Sequence, residues 1–302
     1  MRTANLDGRL VIVHDDRAAD VAKLSDGQFG SDPQSVFDDW SGFLAWAANT
    51  DTESAAQTYV PQRLGPVVPR PRQVFAIGLN YDEHAAESGF RRPDVPVVFP
   101  KFASSLSGPV TTVALPSTTV DWEVELVVVV GAQATQVRAD QAWDFVAGVT
   151  AGQDLSERTS QHAGPAPQFG LAKSHAGFSP IGPALVTVDE LATPDDLALG
   201  CAVDGETMQH SRTSRMIFPV SGLIAYLSGI VTLYPGDLIF TGTPSGVGAG
   251  RTPPRYLMPG AHLESWIDGV GRLSQTFTAG AADTQDHPRD TGESPLNPVA
   301  VR

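Results

Sequence analysis

The chain has 302 residues, 41% of them hydrophobic and 18% charged, with 34 Asp and Glu against 20 Lys and Arg and a formal net charge of −14. A chain of this size and make-up buries a substantial core, which rules out disorder as the whole answer. The acidic balance, with no basic cluster longer than Arg91-Arg92, argues against a nucleic-acid binder, whose affinity comes largely from neutralised phosphates.

At the N-terminus the apolar run Leu10-Val11-Ile12-Val13 is short and acids follow at once. It does not read as a secretory signal, and no stretch reaches the ~18–20 apolar residues of a membrane helix. The expected location is cytoplasmic. Residues 8–13 read as a strand. Residues 36–48 set Phe37, Trp40, Phe43, Leu44 and Trp46 at spacings that suit one helical face. The Pro-rich stretch 61–71 lacks backbone donors and favours an extended linker. The chain thus divides into a small N-terminal α+β domain with its linker (1–70), a larger mostly-β domain (71–278) and a polar tail (279–302). In the second unit, β-branched runs recur at 74–77, 97–99, 124–130, 184–188, 199–203 and 238–241, separated by Gly, Pro and Asp. Helices interrupt them near 81–87 and 219–230. The lone Cys201 lies in an apolar run, builds no disulfide within the chain and no Cys-based zinc site, and suits a reducing compartment.

The chemistry-bearing residues cluster in three places. Asp121-Trp122-Glu123-Val124-Glu125 leads into an unbroken valine run. Alternation along a strand puts Glu123 and Glu125 on one side, about 7 Å apart, where they repel unless a cation lies between them. Two exposed glutamates at a solvated strand start remain the plain alternative. Asp154, in a Gly-Gln-Asp turn, adds a third carboxylate or is merely a helix N-cap. Three carboxylates are the oxygen-rich set that Mg²⁺, Mn²⁺ or Ca²⁺ prefers, and no His or Cys nearby suggests zinc. His84 and Glu87 are three apart, so on one helical turn they share a face as a candidate general base, or they form an ordinary surface pair. Lys173 either extends to solvent or supplies positive charge to a site. The loop Thr241-Gly242-Thr243-Pro244-Ser245-Gly246 offers backbone amides and the Thr243 hydroxyl to a substrate carboxylate, or is a structural turn. Tyr81, Lys101, Arg158, Gln161 and Gln209 are further polar candidates for substrate binding.

These segments, taken in order, resemble the fumarylacetoacetate hydrolase superfamily over roughly residues 70–275. Besides those above, the resemblance rests on Gly78-Leu79-Asn80-Tyr81, Phe99-Pro100-Lys101, Gln153-Asp154-Leu155-Ser156-Glu157-Arg158, Ala172-Lys173-Ser174, Pro180-Ile181-Gly182-Pro183, Pro235-Gly236-Asp237 and Gly246-Val247-Gly248. It implies a mixed β-sandwich roll behind a small N-terminal domain, a homodimer, and Glu123, Glu125 and Asp154 as metal ligands. It also implies a mobile lid over residues 81–92 carrying the water-activating pair His84 and Glu87, with Lys173 stabilising an enolate or carbanion. Departures from the family's commonest pattern are Gln153 for Asn, Thr159 for Asp, and His175-Ala176-Gly177 for Phe-Asp-Thr. His175 is then either a new pocket residue or a space-filler.

The expected activity is hydrolysis of a carbon–carbon bond in an acylpyruvate or related β-diketo acid, by water activated at His84 and Glu87. The alternatives are a decarboxylase or tautomerase on the same scaffold, and a catalytically silent binding protein.

Overall fold

Asp7 and Gly8 take the left-handed backbone conformation, at φ 52° and 80°, and fold the strand Arg2–Leu6 back on Arg9–His14, which pairs in turn with Arg17–Asp20. The computed structural model describes residues 1–280. The expected strand at 8–13 is therefore the middle of three. The outer two carry Arg, Asn and Asp and owe their strand form to pairing rather than composition. Arg2–Leu6 also pairs antiparallel with Ser179–Val186, Arg2 opposite Val186. Through this pairing the N-terminal strands prolong one large sheet. From Arg2–Leu6 it continues through Ser179–Val186, Val146–Gln153, Val124–Val130, Leu238–Phe240 and Val74–Gly78 to Val97–Pro100. A second, five-stranded sheet holds Glu206–Arg212, Ala198–Val203, His262–Ile267, Gly271–Ala279 and Val110–Leu115. The mixed roll implied by the family resemblance, behind a small α+β N-terminal segment, is the architecture observed. Of the polar tail expected over 279–302, Ala279 ends a strand, and the part after Gly280 lies outside the described residues.

The strand Val124–Val130 is buried along its whole length, as an unbroken valine run requires. Val124, Leu126, Val128 and Val130 join the core between the sheets, with Leu199, Leu263 and Phe277. Val127 and Val129 enter a separate core on the outer face of the large sheet, with Ile12, Phe37, Trp40 and Phe43. The N-terminal segment is thus a third layer. Its single expected helix is divided, because the Asp39 carboxylate accepts from Gly42 N at 3.0 Å and caps a new helix there. A short 3₁₀ turn, Ser35–Asp39, precedes the α-helix Trp40–Ala47. The later helix Val220–Ser228 turns Val220, Leu223, Ile224 and Leu227 into the core between the sheets. No helix among the described residues is long and apolar enough to cross a membrane.

Because the aromatic layer and the large sheet share one core, Phe43→Ala should act on the whole fold. The ring is fully buried, and its loss is expected to cost about 3–5 kcal/mol. Urea unfolding should show a lower midpoint in a single transition. Separate transitions for the N-terminal and later segments would contradict a shared core.

Candidate metal centre

Alternation places Glu125 on the face that also carries Val127 and Val129, so the carboxylate lies at the end of a buried valine row. On the antiparallel neighbour, Gln153 stands opposite Val124. The next residue, Asp154, donates its N–H to the Glu123 carbonyl at 2.9 Å. Register alone therefore brings the Gly-Gln-Asp turn against the glutamate pair. One oxygen each from Glu123, Glu125 and Asp154 lies within 4.8 Å of the others, and all three residues are buried.

Like charges at this distance in a buried site need compensation. Lys173 Nζ donates to Glu123 Oε2 at 2.7 Å, Asp154 Oδ2 at 2.8 Å and Ser156 Oγ at 2.7 Å. Arg158 Nη2 donates to Glu123 Oε1 at 2.6 Å and Asp121 Oδ2 at 2.8 Å. Lys101 Nζ donates to Asp154 Oδ1 and to the Lys173 carbonyl. Burial works against the Glu123 carboxylate, but Lys173 and Arg158 outweigh it and bring its pKa down to about 2. At Lys173 burial is likewise outweighed by Asp154 and Glu123, which hold the ammonium above its ordinary range. At Lys101 burial wins over Asp154 and lowers the pKa. Glu125 is the exception: its Oε2 accepts only from Gly242 N, at 2.8 Å. Burial, Asp154 and Glu123 together push its carboxyl well above the usual range. An oxygen-only donor set with one uncompensated carboxylate fits a hard divalent cation. Glu123, Glu125 and Asp154 could hold it.

Several residues expected to meet substrate instead brace this cluster. Gln209 Oε1 accepts from Val124 N at 2.9 Å, and its Nε2 donates to Thr243 Oγ1 at 2.8 Å and Pro244 O at 2.7 Å. The Thr243 hydroxyl donates to Val124 O at 2.9 Å, so its proton is not available to a ligand although the residue lines the cavity. The glycine loop's amides serve the protein's own carboxylates rather than a substrate's: Gly242 N binds Glu125, Gly246 N binds Glu87, and Gly248 N and Ala249 N bind Asp121. Gly242 is required there, with φ 97° and a position where a Cβ would come 2.6 Å from the Asn80 Cβ. Tyr81 and Lys101 are buried and are not among the cavity's walls, Tyr81 lying within the core with its hydroxyl unpartnered. Arg158 and Gln161 do line it, with Arg158 Nη1 donating to Gln161 Oε1 at 2.9 Å.

The family departures fall outside the pocket. Gln153 accepts from Glu123 N and donates to Ser265 Oγ, both at 2.8 Å. Thr159 is exposed and meets Thr119. His175 packs its ring 4.9 Å from Phe178 and is not among the cavity's walls. The sequence reading gave no role to Asp121, which accepts from Trp122 N, Gly248 N, Ala249 N and Arg158. Its place two residues before Glu123, on the same alternation, was the available signal.

His84 and Glu87 lie on the helix Asp82–Glu87, with His84 Nδ1 and Glu87 Oε1 2.8 Å apart. Gly246 N donates to both Glu87 oxygens, at 2.9 and 3.1 Å, and latches the helix to the glycine loop. His84, Glu87, Glu123, Arg158 and Lys173 share the walls of one cavity of about 310 Å³. That size is near the lower end of small-molecule sites.

The isolation of Glu125 makes Glu125→Gln informative. Without metal the neutral amide should stabilise the fold by about 1–3 kcal/mol, because it removes an unpaired buried acid while still accepting from Gly242. Mn²⁺ affinity should fall at least about 10²-fold, with calorimetry for the metal and thermal unfolding for stability. A destabilised variant that binds Mn²⁺ like wild type would assign Glu125 a structural role alone.

The family model described as fumarylacetoacetate (FAA) hydrolase C-terminal matches residues 73–278. The mitochondrial oxaloacetate tautomerase Fahd2a of Rattus norvegicus is 44% identical over 210 residues, 69% of this chain and 66% of that protein. The chain therefore spans just under two thirds of the length of that relative. A crystal structure from Mycobacterium smegmatis, of a protein provisionally named HpcE, is 59% identical with a TM-score of 0.88, covering 93% of this chain and 100% of that one. Maleylpyruvate hydrolase from Sphingobium sp. SYK-6, solved with a manganese(II) ion and pyruvate, is 29% identical with a TM-score of 0.77, again over 93% and 100%. With the matched model covering the later strands of the large sheet, the five-stranded sheet and the whole carboxylate site, the chain belongs to the fumarylacetoacetate hydrolase family of enzymes.

Proposed function

We propose that the chain catalyses keto–enol tautomerisation of a small 2-oxo acid at a divalent cation, Mg²⁺ or Mn²⁺, held by Glu123, Glu125 and Asp154. The observation that carries this reading is a single imidazole–carboxylate pair, His84 with Glu87, on the walls of the cavity that Glu123 and Lys173 also line. Bound at the three carboxylates, the cation would supply Lewis-acid polarisation of the oxo acid. A carboxylate only accepts, so Glu87 keeps the proton on His84 Nδ1 and leaves the Nε2 lone pair for the substrate. His84 takes the proton from the enol oxygen and delivers it to the neighbouring carbon as the C=C electron pair forms the new C–H bond and the oxygen pair forms the carbonyl, so the imidazole ends as it began. No bond between carbons breaks, and no water is consumed. Lys173, held in the charged form by its carboxylates, steadies the negative charge that develops on the substrate oxygen. Arg158 fixes Glu123 in place, and the Gln161 side-chain N–H groups orient the acid. The segment 81–92 opens to admit the acid and closes by the contact between Glu87 and Gly246.

The 44% identity to an oxaloacetate tautomerase favours this reading over hydrolysis. Hydrolysis of an acylpyruvate by water activated at His84 and Glu87 is the second reading, supported by the likeness to maleylpyruvate hydrolase. Products separate them. With Mn²⁺, enol-to-keto conversion should accelerate with no change of mass, and chelation should abolish the effect. His84→Ala should lower kcat by about 10²-fold or more with Mn²⁺ affinity unchanged. Two acids, or CO₂, formed at rates matching tautomerisation would assign a hydrolase or a decarboxylase instead.

A homodimer is proposed alongside, on the family resemblance. The helix Val220–Ser228 turns its apolar face inward. Ile230 and Val231 beyond it are exposed and give the dimer an apolar surface to cover. Light scattering at micromolar concentration should report about twice the 31.9 kDa chain mass; a single chain mass would end the proposal.

A further inference from the structure

We propose that the site prefers a 2-oxo acid whose tail, the part remote from the reacting group, is apolar: a pyruvate substituted at its methyl carbon with an aryl or alkyl group rather than with a second carboxylate. This rests on the tautomerase reading and names the substrate class for it.

The apolar wall begins at the carboxylate cluster itself. Lys173 Nζ, bound to Glu123 and Asp154, lies 5.5 Å from the centroid of the Phe99 ring. Phe99 stacks on Phe169 with centroids 5.4 Å apart. Val97 shares the Phe99 face of its strand by alternation, and both line the cavity with Ile77, Leu79 and Phe169. A substrate anchored at the cluster therefore extends along a continuous hydrocarbon surface. Phe90, at the end of the lid segment, lines the same cavity yet is 50% exposed. An apolar tail would cover that ring, and burying each methylene of the tail favours binding by about fourfold.

A second carboxylate meets the opposite conditions. Among the described residues that line the cavity, Arg158 is already matched by Asp121 and Glu123, and Lys173 by Glu123 and Asp154. His84 is paired with Glu87. His162 is the lining imidazole without such a partner, and it sits exposed at the rim. Within the cavity an anionic tail would face Glu87, Glu123 and phenyl rings, and would exchange hydration for at most neutral donors such as Ser88 and Gln161.

The test compares phenylpyruvate with oxaloacetate on the full chain loaded with Mn²⁺, by dissociation constant from calorimetry and by kcat/KM for enol-to-keto conversion. Phenylpyruvate should be favoured at least tenfold in both. Phe90→Ser, an exposed substitution that leaves the core intact, should cut that preference at least fivefold, and Phe169→Ala should do the same. Preference for oxaloacetate, or a preference that neither variant moves, overturns the proposal. If neither acid is tautomerised, the tautomerase reading fails, while the ratio of dissociation constants still decides the nature of the tail.

Discussion

Three carboxylates held within 4.8 Å of one another inside a protein repel strongly, and much of this structure can be understood as what keeps them there. The valine strand supplies rigidity, buried on both faces between two cores. Gln153 and Gln209 fasten the backbone amides of Glu123 and Val124, so the strand cannot shift to relieve the repulsion. Lys101, Arg158 and Lys173 balance the charge from the sides. Each of these cations is fixed by a second contact, which makes the electrostatic arrangement preorganised rather than adaptive.

The glycine loop ties this cluster to the helix Asp82–Glu87. Its amides bind Glu125 on one side and Glu87 on the other, while Asp121 holds both the loop and Arg158. Buried carboxylate, counter-cation and imidazole pair are therefore braced by the same short segment. A displacement of a few tenths of an ångström there would be felt at all three, which explains why positive-φ glycines with crowded surroundings stand at Gly242 and Gly246.

What could be read beforehand follows from how local each signal is. Glu123 and Glu125 share a face by the period of a strand, and His84 and Glu87 by the pitch of a helix; both relations need only neighbouring residues. The mostly-β character was visible in the valine and isoleucine runs. The contacts of Gln209 and Thr243 with Val124 could not be read beforehand, because Val124 is far away in sequence and nothing in their own neighbourhood reveals that partner. The strands Arg2–Leu6 and Arg17–Asp20 escaped notice for a similar reason: their burial is conferred by pairing, not by hydrophobicity. The apolar tail wall was hidden because Phe99 and Phe169, distant in the chain, meet only in the folded molecule.

The pairing of Arg2 with Val186 has a bearing on how the chain is made. The first strand leaves the ribosome long before its partner is synthesised. At roughly 5–20 residues per second, the interval is on the order of ten seconds or more. Through that time the hairpin formed with Arg9–His14 presents an open backbone edge, a template for pairing with the wrong chain. A contact of such long sequence separation also closes late in folding. Only Leu64 and Gly65, which pair with Leu6 and Asn5, cover part of that edge sooner, so the interval of exposure is a kinetic quantity that the stability of the finished fold does not report.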